Sequence, residues 1–108
     1  MRVLFDQGTP VRIRQQLREH TIVTARGQGW STLLNGDLLR AAEQEGFEVL
    51  LTTDTSIPYQ QNLMGRKLAI VIVNGNRWSL VKKAIPQIVA AVDTAKPGTC
   101  TVVDVPRN

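Results

Sequence analysis

Three aspartates stand where a parallel α/β chain could bring them together: Asp6, Asp37 and Asp54. Asp6 ends the apolar run Arg2-Val3-Leu4-Phe5, and Asp54 ends Glu48-Val49-Leu50-Leu51-Thr52-Thr53. Asp37 falls in the first turn of the helix expected after Asn35. Each has a plain structural role open to it. Asp after a strand bonds nearby turn amides, and Asp in a first helical turn meets the helix dipole. Together they allow more. Clustered carboxylates repel unless a cation joins them, and their oxygens suit hard cations, here Mg²⁺ or Mn²⁺. Such an ion activates water and stabilises a phosphodiester transition state. On this reading the three acids converge on one cavity, and without metal Asp54→Asn is neutral or stabilising through relieved repulsion.

The elements that must position these acids alternate. Strands are expected over 2–5, 21–24, 48–53, 68–73 and 99–105, the last at a sheet edge. Between the first two, Val11, Ile13 and Leu17 mark a short amphipathic helix, with Thr9 as its cap and Pro10 at its first position. A second helix starts at a capping Asn35 and stops at Gly46. A loop with a short helix fills 55–66, and a long helix runs over 79–95, kinked or split by Pro86. The expectation is a single domain over 1–108, an α/β three-layer Rossmann-like fold with a mainly parallel sheet of about five strands and right-handed crossovers. Ligand sites in such sheets collect at the carboxyl ends of the strands. The other acids do not gather there. Glu43, Glu45 and Glu48 belong to the opposite end, and Asp93 and Asp104 to a helix end and the edge strand.

Several neighbours are candidates for substrate contact. Asn74 and Asn76 follow the fourth strand, Arg77-Trp78 come next, and Gln61 follows Asp54. Trp78 could stack on an unpaired base and Arg77 could meet a phosphate; the alternative is that Trp78 packs the last helix. Trp30 is open in the same way. Arg12, Arg14 and Arg18 form a solvated helix face, or an RNA or protein contact. His20 reads as a loop residue and Cys100 as packing.

Composition narrows the class. The 108 residues carry 13 basic and 9 acidic side chains, and residues 55–108 hold seven basic against two acidic. That half favours a polyanion. One Cys and one His leave no disulfide and no Cys/His zinc site. No run is long enough to span a membrane, and the first 30 residues lack a signal-peptide pattern, so the expected location is cytoplasmic.

The run Val3-Leu4-Phe5-Asp6-Gln7-Gly8-Thr9-Pro10, the segment Asn35-Gly36-Asp37-Leu38-Leu39 and the run Leu50-Leu51-Thr52-Thr53-Asp54 resemble the PIN-like domains of small bacterial proteins. The resemblance extends to about Val105. It implies an acidic, metal-binding ribonuclease site at Asp6, Asp37 and Asp54. It also implies the toxin of a toxin–antitoxin pair, with RNA and a small antitoxin-like protein as partners, and a homodimer as a further option. The chain departs from that pattern in Gln7, where relatives often carry Glu, and in lacking a downstream fourth acid. These departures favour the alternative of a non-catalytic module that binds RNA or a protein. A third reading, a phosphoacceptor receiver domain, fits only Asp54. Receivers carry a pair of acids after the first strand and a Lys after the last, and neither is present.

Overall fold

The structure, a computed structural model, describes residues 1–106. Five short strands form one sheet: β1 (Arg2–Phe5), β2 (Thr21–Thr24), β3 (Val49–Thr52), β4 (Ala69–Asn74) and β5 (Cys100–Asp104). Their order is β2-β1-β3-β4-β5 and every pairing is parallel. The helices are α1 (Asn35–Gln44), α2 (Ile57–Gln60), α3 (Trp78–Val81) and α4 (Ile85–Asp93). A 3-10 helix, Val11–Gln16, joins β1 to β2, and a 3-10 turn, Lys82–Ala84, joins α3 to α4. The fold is α/β, three-layered and Rossmann-like, as expected.

Apolar runs without alternation suit strands covered on both faces, and the side chains divide accordingly. Val3, Phe5, Val49, Leu51, Val71 and Val73 share one core with Ile13 of the 3-10 helix, Leu17 just after it, and Ile88 and Val92 of α4. Leu4, Leu50, Ile70 and Ile72 share the other with Leu38 and Leu39 of α1 and Ile57 of α2. No helix among the described residues is long and apolar enough to cross a membrane.

The crossovers differ from expectation in one place. The steps β2 to β3 and β3 to β4 move across the sheet in one direction, with their helices on the second face. The step β4 to β5 continues in that direction, but α3 and α4 lie on the first face. Two crossovers that move the same way on opposite faces have opposite hands. The β1 to β2 step moves the other way on the first face, so it shares the hand of the middle two. One crossover in four therefore breaks the single-hand rule. A six-residue 3-10 helix is about 12 Å long, whereas five strands span about 19 Å between the outer two. α4 closes the remainder of the first face.

Candidate functional site

The strand order reverses between β1 and β3, and the crevice at such a switch point is where doubly wound sheets bind ligands. Phe5 lies opposite Leu51 in the register, so Asp6 and the residues after Leu51 emerge side by side. The Asp6 N–H donates to the Leu51 carbonyl at 2.9 Å. Thr52, fully buried, links the two acids. Its hydroxyl donates to Asp6 Oδ2 at 2.8 Å and accepts the Asp54 N–H at 3.1 Å. Asp6 Oδ1 accepts the Gln7 N–H at 2.8 Å.

Asp54 is held more fully. Its Oδ1 accepts the Ser56 hydroxyl at 2.5 Å and the Ser56 N–H at 2.9 Å. Its Oδ2 accepts the Asn35 amide at 3.0 Å, and the same Asn35 nitrogen donates to Gln60 Oε1 at 3.2 Å. The Ser56 hydroxyl, then the Asn35 amide and the Ser56 N–H, hold the Asp54 carboxyl below its ordinary range, against an opposing push from partial burial. Every one of these donors is neutral.

Asn35 is therefore a site residue and not the cap expected of it. α1 begins at Asn35 itself, Leu34 occupies the cap position, and no side chain caps the helix. Thr9 is likewise no cap: its hydroxyl donates to the Leu51 carbonyl at 3.1 Å, and Pro10 takes the cap position.

Asp37 lies in the first turn of α1, as expected, but its carboxylate pairs with Arg40 one turn on. Both lie on the wall of a cavity of about 530 Å³ shared with Asn35, Gln60 and Gln61. Gln61 thus belongs to the Asp54 side of the site. The other four candidates lie further along the sheet. Asn74 ends β4 and donates to Asp104 across to β5 at 3.3 Å. Asn76 and Arg77 are exposed in the turn before α3. Trp78 packs on the first core, with the Arg12 guanidinium 5.6 Å from its ring centre. Trp30 packs edge-on against Phe47.

No family model, curated protein or solved structure matches this chain.

The acids also bear on metal binding. A carboxylate offers about four lone-pair positions. Asp6 has two in use and Asp54 three. Mg²⁺ is commonly held by one or two carboxylates, with waters and substrate phosphate completing its shell. Asp6 and Asp54 each keep lone pairs free, but the three acids do not share one cavity as expected: the cavity at Asp37 is lined by neither Asp6 nor Asp54, and the cavity at Asp6 by neither of the other two. Among the described residues, no group of three or more His, Cys, Asp or Glu stands together as a metal-ligand set. Four other acids are engaged elsewhere: Glu43 holds Arg66 at 2.6 Å and caps the Lys67 and Leu68 amides, Asp93 holds His20 at 2.6 Å, Glu48 accepts the Arg2 N–H, and Asp104 accepts the Asn74 amide.

Proposed function

We propose that the chain is a Mg²⁺- or Mn²⁺-dependent ribonuclease of PIN-like type, hydrolysing RNA phosphodiesters at the β1–β3 switch point. One observation carries the reading. Asp6 and Asp54 follow adjacent strands, the Thr52 hydroxyl bridges the Asp6 carboxylate to the Asp54 backbone N–H, and neutral donors alone meet both carboxylates. Neither side chain has a cationic side chain in salt-bridge contact among the described residues.

Asp6 and Asp54 would hold the ion. A bound divalent cation supplies a more acidic water and charge stabilisation on the phosphodiester. Thr52 fixes the Asp6 carboxylate, and Ser56 and Asn35 fix that of Asp54, the role outer donors play around metal ligands. The Asp37–Arg40 pair is exposed on both sides, so it is worth about 0–1 kcal/mol. Asp37 stands apart from Asp6 and Asp54 and is left out of the ion's ligand set. The toxin role, with a small antitoxin-like partner, rests on the resemblance and not on the site.

The test is Mn²⁺-dependent cleavage of a single-stranded RNA. Asp6→Asn and Asp54→Asn should each abolish it and leave RNA affinity equal or higher, because a negative charge near the phosphates is gone. Absence of any wild-type cleavage that Asp6→Asn removes would overturn catalysis. The second reading then applies, a non-catalytic module binding RNA or a protein. The engagement of Asp37 by Arg40 favours it.

A further inference from the structure

A second cavity lies on the other flank of Asp6. The carboxyl ends of β1 and β2 and the start of the 3-10 helix enclose about 450 Å³. Asp6, Thr24, Val11, Arg14 and Arg26 line it. The volume falls within the range of small-ligand sites.

Arg40 and Arg66 each pair with a carboxylate, and Arg2 and Arg12 each lie over an aromatic ring. Arg14 and Arg26, like Arg18 and Arg77, make no ion pair and no side-chain hydrogen bond among the described residues, but only these two line this cavity. They border the same cavity as Asp6 without neutralising it. Two free guanidinium groups suit a phosphate, which they grip through paired N–H donors. The Asp6 end suits a cation. A ligand that satisfies both ends is anionic where it meets the arginines and meets a cation where it reaches Asp6. Val11, 56% exposed, adds an apolar wall against which a base can lie.

We propose that this cavity seats one nucleotide of a single-stranded RNA, with Arg14 and Arg26 on the phosphate adjoining the bond cut at Asp6. That the strand is RNA and is cut there rests on the ribonuclease reading; the phosphate grip rests on the cavity alone. A recess of this size admits an unpaired nucleotide and excludes a duplex, whose bases stay stacked. The strand contact thus comes from the first half of the sequence, not from the more basic second half.

Fluorescence anisotropy with a labelled decauridylate tests this. The measurement is made in EDTA, so cleavage does not enter. Arg14→Gln and Arg26→Gln should each weaken binding about tenfold, the scale of one hydrogen bond to a charged group. Each should lower the slope of log K against log salt by about 0.7. Lys83→Gln, the same charge change at an exposed site outside the cavity, should do neither. All three side chains are exposed, so the core is untouched. The proposal is overturned if the arginine variants match Lys83→Gln, if duplex RNA competes as well as single strand, or if wild type does not bind. Manganese-dependent cleavage with unaltered arginine-variant affinity would remove the subsite and keep the nuclease. Arginine-dependent binding without Asp6-dependent cleavage would support the subsite and remove the nuclease.

Discussion

Thr52 serves two partners with one hydroxyl, donating to Asp6 and accepting from the Asp54 amide. Thr52→Val keeps the shape and removes both bonds. Leaving buried or half-buried partners unmet costs about 1–3 kcal/mol, so the urea midpoint should fall with little change in slope. Asp54→Asn should be destabilising by a similar amount without metal. Asp54 accepts three hydrogen bonds, and an amide must turn its NH₂ toward one of those donors. This reverses the sign that charge repulsion alone suggests; a more stable variant in metal-free urea titration would restore repulsion as the larger effect. The same donors set a pH dependence. The folded carboxyl lies below its ordinary value of 3.8. Its contribution is therefore complete above that value and is lost as pH falls through the folded one. Ser56→Ala should shrink the acid-side loss seen in unfolding curves collected below pH 4. Asp6 and Asp54 were legible because a residue directly after a parallel strand must emerge at the sheet's carboxyl edge. Thr52 was not, since a β-branched residue in a strand reads as packing. Only the pairing of Phe5 with Leu51 brings its hydroxyl beside Asp6. Asn35 was misread for a related reason: its partner lies 19 residues away, beyond any local pattern.

At the level of elements, sequence pattern served best where burial is two-sided. The strands over 2–5 and 21–24 match, and the others shift by a residue or so at their ends. The helix expected over 79–95 is split, one of the two outcomes expected of Pro86: two helices flank Lys82–Ala84, and Pro86 sits in the first turn of α4, where its missing N–H costs nothing. The amphipathic stripe Val11, Ile13, Leu17 is incomplete, because Val11 points to solvent and the segment coils as 3-10. The turn after β4 holds a sharper constraint. Gly75 has φ +147°, and a Cβ there would stand 3.2 Å from Val105 Cβ. Gly75→Ala should cost about 1–3 kcal/mol, the scale of a residue held in a forbidden backbone region, and Val105→Ala should not rescue it. Thermal or urea unfolding of the single and double variants checks both statements.

Across the whole molecule, β2 and β5 are the open edges of the sheet. β5 exposes Val102 at 51%, and an apolar open edge invites pairing with another chain. Val102→Lys should delay light scattering on heating without lowering the unfolding midpoint; an unchanged onset would mean association starts elsewhere. The crossover of opposite hand has a consequence during synthesis. Strands β1 to β4 are complete once residue 74 has been made, yet the first face then has only the Val11–Gln16 segment over it. Val49, Leu51, Val71 and Val73 wait for Ile88 and Val92, which are made only after β4 is complete. A nascent chain leaving the ribosome N-terminus first therefore carries a half-covered sheet until α4 has emerged.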